Sequence, residues 1–140
     1  MDTGNLYREE ILDHYSLPHN FGSLKNFDAY ARQTNPLCGD DISIWIKFGQ
    51  DVKSAGVIGK HPKGVIENIG FQGKGCAICM AGASMLTDYA KGKTKKELTK
   101  FSEDDMLSLL GIEVSETRKK CVLLSLAVLK DCLYATESKS

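Results

Sequence analysis

No apolar run in this 140-residue chain approaches the roughly 18 residues that a membrane span needs. Net charge is missing too, because eighteen Lys plus Arg balance eighteen Asp plus Glu. That balance argues against a general nucleic-acid binder and against a polybasic protein of membrane surfaces. The N-terminus, Met1-Asp2-Thr3-Gly4-Asn5, lacks a basic region followed by an apolar stretch, so no secretory signal is evident and a cytoplasmic location is the expectation. There is no Ser/His/Asp order for nucleophilic catalysis and no phosphate-cradling glycine loop, since Gly73-Lys74-Gly75 is too short for one. Internal repeats and low-complexity segments are also absent. What is present is ordinary for a globular chain: 42% hydrophobic and 26% charged residues, enough for one domain over 1–140 and one core.

The patterning predicts strands in the first half and helices in the second. A first helix is expected from Asn5 to Tyr15, capped by Asn5, with Glu9, Glu10 and Asp13 placing acid toward its start and Leu6, Tyr7, Ile11, Leu12 and Tyr15 on one face. Leu17-Pro18-His19-Asn20-Phe21-Gly22 is a stop and turn. Alternation predicts a strand over Phe27–Thr34 and a clearer one over Asp41–Phe48, where Ile42, Ile44 and Ile46 oppose Asp41, Ser43, Trp45 and Lys47. Gly49-Gln50-Asp51 reads as a hairpin turn. Val52–Ile58 and Val65–Phe71 are two strands or one interrupted strand.

Beyond Gly75 the composition turns to Ala, Met and Leu, which predicts a helix over Cys76–Ala90. Shorter helices follow over Thr94–Lys100 and Ser102–Leu110, and a long one begins after a Ser115 cap and reaches Tyr134. Lys91, Lys93, Lys95 and Lys96 read as a solvated helix end. The fold class is therefore α+β, with a long C-terminal helix.

Five cysteines carry the chemistry. Without a signal peptide, metal binding or thiol chemistry is a better expectation than disulfides. Cys38 lies in the turn Asn35-Pro36-Leu37-Cys38-Gly39-Asp40, where Gly39 permits a bend that points the thiol and the Asp40 carboxylate together. Cys76 opens a helix whose free N–H groups favour a thiolate. Cys121 falls three residues after Arg118, so the guanidinium and thiol share a helix face. Three thiolates and one carboxylate are enough to close a tetrahedral zinc site or hold an iron–sulfur cluster, although spacings of 38 and 45 residues are too long for a local zinc ribbon.

Cys132 stands 11 residues past Cys121, about 16 Å along a helix, and reads as a packed thiol beside Val128 and Leu129. Cys79 is either a packing residue or a spare ligand or redox partner of Cys76. His14, His19 and His61 have no ligand-like spacing to one another and read as surface or capping residues.

Three blocks resemble the iron–sulfur cluster scaffold family of IscU, SufU and the N-terminal part of NifU: Asn35–Asp40, Gly73–Ser84 with Lys91-Gly92-Lys93, and Arg118-Lys119-Lys120-Cys121. The opening Leu6–Tyr15 and Pro18-His19-Asn20 are similar to the SufU-type N-terminus. The resemblance implies a NifU-like α+β fold, with a small antiparallel sheet covered by helices, and a site of Cys38, Asp40, Cys76 and Cys121 near one exposed end. It also implies a scaffold that accepts persulfide sulfur from a cysteine desulfurase and assembles a transient [2Fe-2S] cluster for downstream iron–sulfur apo-proteins or carriers. Two alternatives are a zinc-bound sulfur acceptor that relays persulfide without building the cluster and a structural zinc module that docks partners.

Lys120 stands where IscU-type members carry His, and Arg118-x-Lys120-Cys121 matches the SufU-type pattern. The extra segment usual in SufU-type members is absent, as is the Leu-Pro-Pro-Val-Lys segment of IscU systems, replaced here by Gly111–Ser115. The stretch Val57–Ile66 is longer than the usual hairpin. The SufU-like features make Cys38 the persulfide acceptor and the IscU-like ones Cys121, with Arg118 docking the desulfurase and drawing the thiolate forward.

Overall fold

In the computed structural model, residues 3–36, 39–49 and 64–137 are described. The element order is α1 (Thr3–Ser16), β1 (Ala29–Asn35), β2 (Asp40–Phe48), β3 (Ile66–Lys74), α2 (Ala77–Ala90), α3 (Lys95–Thr99), α4 (Glu103–Leu110) and α5 (Glu116–Glu137). The three strands form one antiparallel sheet in the order β1-β2-β3, so the α+β architecture expected from the patterning is observed.

The sheet is built around β2, which alternates strictly between buried and half-buried positions along its whole length. Ile42, Ile44, Ile46 and Phe48 point inward, and Asp41, Ser43, Trp45 and Lys47 occupy the other face. A period of two puts every second residue on one side, so the inner row also includes Asp40, the first residue of the strand. On the outer face Tyr30 stacks on Trp45 at 5.1 Å, and Arg32 grips Asp41 with two N–H groups at 2.9 and 2.6 Å. That hydrogen-bonded pairing holds the Asp41 carboxyl below its ordinary range.

Helices α2 and α5 lie on the inner face, α5 against β1 and β2 and α2 against β3. Their buried residues include Leu86, Val122, Val128 and Leu129, which close over Ile44, Ile46, Ile69 and Phe71. Capping boxes start α3 at Thr94 with Glu97 and α4 at Ser102 with Asp105, and Gly111 ends α4 in the left-handed region at φ 69°. Ser115 receives the Arg118 backbone N–H at 3.3 Å and so caps α5.

Helix α1 differs from its sequence reading. It begins at Thr3, so Asn5 lies inside it and the acidic residues fall beyond its first turn. Ile11 is buried, whereas Leu12 and Tyr15 stay exposed, with the helix packed against α2. The chain after α1 runs beside β3: Gly22 N–H donates to Phe71 at 2.7 Å and Phe71 N–H donates to Asn20 at 2.9 Å. A Cβ on Gly70 would stand 2.3 Å from the Gly22 carbonyl oxygen, so only glycine admits this approach.

The expected strand at Val52–Ile58, the turn residues Gln50 and Asp51, and His61 lie outside the described residues. Val65–Phe71 corresponds to β3, which extends to Lys74. Ile44→Ala should cost about 2–5 kcal/mol in urea unfolding, because a fully buried branched side chain at the sheet centre leaves a cavity that neighbouring strands cannot close.

Candidate metal centre

The inner row of β2 ends on a carboxylate. Asp40 is 1% exposed, a placement that costs several kcal/mol for an ion unless its oxygens find partners. Oδ1 accepts the backbone N–H of Cys76 at 3.2 Å, while Oδ2 has no hydrogen-bond partner among the described residues. The approach depends on Gly75, where a Cβ would lie 2.5 Å from Asp40 Oδ1. Gly73 is equally constrained, since a Cβ there would stand 2.0 Å from the Asp41 carbonyl oxygen. The Gly-x-Gly before the helix is thus a steric requirement of the β2–β3 pairing and of the Asp40 contact.

Cys76 is the N-cap of α2 and makes no side-chain capping bond. Its half-buried thiol is left to face Asp40 and Cys121, and Cys121 is 2% exposed near the start of α5. Donor atoms of Asp40, Cys76 and Cys121 lie within 4.8 Å of one another. Three elements that are remote in sequence therefore deliver one carboxylate and two thiols to one point.

Cys38 and Leu37 lie outside the described residues. On either side of them Asn35 pairs with Asp40, and the Gly39 N–H donates to the Asn35 carbonyl at 2.9 Å, with Gly39 at φ 73°. Arg118 is exposed and makes no ion pair with Glu113 or Glu116 among the described residues, where Glu116 instead receives Lys119 at 3.4 Å.

Cys79 and Cys132 are both buried in the core, and neither is among the donors that lie within 4.8 Å of one another. Cys132 donates to the Ile44 carbonyl at 3.5 Å, and burial pushes its thiol up to about 12. Packing is thus the structural place of Cys132.

A second group escaped sequence reasoning. His14, His19 and Asp88 also bring donor atoms within 4.8 Å, although the two histidines have no ligand-like spacing in the sequence and read there as surface or capping residues. Sequence spacing could not show this, because α1 and the turn after it meet α2 only through the tertiary fold. Burial, helped by the charge of His19, keeps the His14 imidazole below its ordinary value.

The NifU-like N-terminal domain family model matches residues 6–140. The chain belongs to this family. Its relatives include the iron–sulfur cluster assembly scaffold protein IscU 1 of Archaeoglobus fulgidus, 35% identical over 106 residues, which cover 76% of this chain and 61% of that protein. The chain thus spans less than two thirds of that relative's length. The zinc-dependent sulfurtransferase SufU of Bacillus subtilis is 34% identical over 137 residues, with 86% of this chain and 84% of that protein covered. The N-terminal part of a nitrogen-fixing NifU-like protein from Brucella abortus superposes with a TM-score of 0.73 over 99% of each chain, at 22% identity, which shows the shared fold.

Brief alkylation of the native protein at pH 8 should label Cys76 and spare Cys132, whose thiol is fully buried and stays protonated up to about 12. Peptide mapping by mass spectrometry reads both sites at once. The folded protein holds the Cys132 proton while the unfolded chain releases it above its ordinary 9.0. Stability should therefore fall above pH 9, by up to about 1.4 kcal/mol per pH unit from this group, and Cys132→Ala should remove that component of the slope.

Proposed function

We propose that the chain accepts persulfide sulfur from a cysteine desulfurase and assembles a transient [2Fe-2S] cluster on Cys38, Asp40, Cys76 and Cys121 for delivery to apo-proteins or carriers. The observation that carries this reading is the buried Asp40 carboxylate, with one oxygen unpartnered among the described residues, set against two thiols within 4.8 Å. A hard oxygen donor among soft thiolates binds iron or zinc more weakly than a fourth thiolate would. Such a ligand suits cargo that must leave. Residues 1–140 act as one unit in this reading.

The family membership and the relatives named as cluster-assembly scaffolds support the same conclusion. The site chemistry divides between the persulfide and the metal. A thiolate of this group attacks the outer sulfur of the desulfurase's persulfide, the S–S bond breaks, and the desulfurase leaves as a thiolate. Cys38 or Cys121 takes this role. Arg118 is a docking residue: an exposed, permanently charged fork, placed three residues before Cys121, suits carboxylate or carbonyl groups of a partner surface.

A second reading is favoured by the Arg118-x-Lys120-Cys121 segment and by the relative named a zinc-dependent sulfurtransferase. Here zinc occupies the same residues and the persulfide is passed on without cluster assembly. The two readings separate by metal content after anaerobic isolation and by reconstitution with desulfurase, cysteine, ferrous iron and a dithiol reductant, which supplies the electrons that bring persulfide sulfur to sulfide. Visible absorbance with matching iron and sulfide, transferable to an apo-ferredoxin, supports the scaffold; persulfide transfer by a zinc-loaded protein that assembles no cluster supports the relay.

Three substitutions probe the residues. Cys121→Ser should lower zinc affinity on the order of a hundredfold in competition with a chromophoric chelator, and full retention of affinity would remove Cys121 from the site. Asp40→Ala should hold a reconstituted cluster several-fold longer in air, followed by its visible absorbance, if the carboxylate is the exchangeable ligand. Arg118→Ala should lower stimulation of the desulfurase several-fold while zinc content and melting temperature stay near the parent values.

A further inference from the structure

The second donor group lies on a polar seam between α1 and α2. Ser84, fully buried on α2, stands 2.6 Å from His14 Nδ1 and accepts the His19 backbone N–H at 2.8 Å. With the proton on Nδ1, His14 donates to the Ser84 oxygen, which leaves Nε2 with an available lone pair. His19 Nδ1 is hydrogen-bonded to Asp88 Oδ2, and Asn20 Nδ2 holds Asp88 Oδ1 at 2.9 Å and Thr87 Oγ1 at 3.0 Å. The two imidazole rings sit 4.4 Å apart. Each of the three donor side chains is thus oriented by a neighbour before any ion arrives, as supporting hydrogen bonds orient ligands in metal sites.

Donors bound to one zinc ion at about 2.0–2.2 Å in a tetrahedron lie about 3.4 Å apart, so donor atoms already within 4.8 Å close by side-chain rotation. Glu10 precedes His14 by one helical turn and lines with it, Asp88, Met85 and Tyr89 a cleft of about 310 Å³. Its carboxylate stands on the same side of α1 as the His14 ring. Asp88 and Glu10 together balance the two charges of a divalent cation. Two imidazoles with carboxylate oxygens, and no sulfur, select the borderline first-row ions over magnesium or calcium.

We propose that His14, His19 and Asp88 form a second, thiol-free site for a first-row divalent cation, zinc foremost, with Glu10 supplying the fourth donor. The bound ion would clamp α1 and the turn after it to α2. This site is independent of the Asp40–Cys76–Cys121 group in both position and donor chemistry, and its test does not depend on the scaffold reading.

Cobalt(II) distinguishes the two groups, because thiolate ligands give intense near-ultraviolet charge-transfer bands and imidazole or carboxylate ligands give only weak visible bands. Titration of the untagged full chain should show two equivalents of cobalt, one with charge-transfer absorbance and one without. His19→Gln and Asp88→Asn should each weaken the second equivalent at least about tenfold and leave the charge-transfer bands unchanged. Both side chains are exposed, and the His19 backbone contact to Ser84 survives, so the variants should fold as judged by circular dichroism. Cys76→Ser should have the opposite effect, removing the charge-transfer bands and sparing the second equivalent. A single equivalent that disappears with Cys76→Ser, or a second equivalent bound with parent affinity by both His19→Gln and Asp88→Asn, would overturn the proposal.

Discussion

One buried carboxylate governs the organisation of the molecule. Asp40 continues the inward row of Ile42, Ile44 and Ile46, and strand geometry leaves it no other face to occupy. A register slip of one residue would place it in water and would also expose the isoleucines. The same packing that stabilises the sheet therefore forces a charge-bearing group into the protein. Its accommodation dictates the next segment: glycine at 75, so the backbone can close in, and a helix start at Cys76, whose N–H meets one carboxylate oxygen.

This coupling explains why the site and the core are a single construction. Helix α2 packs on β3 and α5, and its N-cap, Cys76, is a thiol at the candidate centre. Helix α5 covers β1 and β2, and its early residue Cys121 completes the convergence. Cys132, further along the same helix, packs against the carbonyl of Ile44. A single helix thereby carries one cysteine with a chemical position and one with a packing position, separated by surroundings rather than by residue type.

Much of this was legible in the sequence, for identifiable reasons. The alternation at Ile42, Ile44 and Ile46 outweighs local noise because burial on one face repeats every second residue. Ser102 with Asp105 announces α4 because a capping box is a local interaction within four residues. Asp40, Cys76 and Cys121 could be singled out because each stands at or near the start of an element, where side chains gather at one sheet end. The start of α1 was misplaced at Asn5 because a polar residue near a helix start resembles a cap wherever it falls. The His14–His19–Asp88 group was invisible because its two halves lie about seventy residues apart on elements that no local pattern relates.

The strip Asn20–Gly22 lies along the outer side of β3, bonded to Phe71 through both its N–H and its carbonyl. An uncovered edge strand offers unpaired backbone groups to any extended chain, including another copy of itself. The segment after α1 thus acts as a guard rail for the sheet: while the strip is seated, Phe71 cannot zip onto a neighbouring molecule. Proteolysis or shortening of the N-terminus would strip away more than a helix, because it would uncover the backbone groups of a sheet edge. The first twenty-two residues therefore bear on the solubility of the whole chain as much as on its fold.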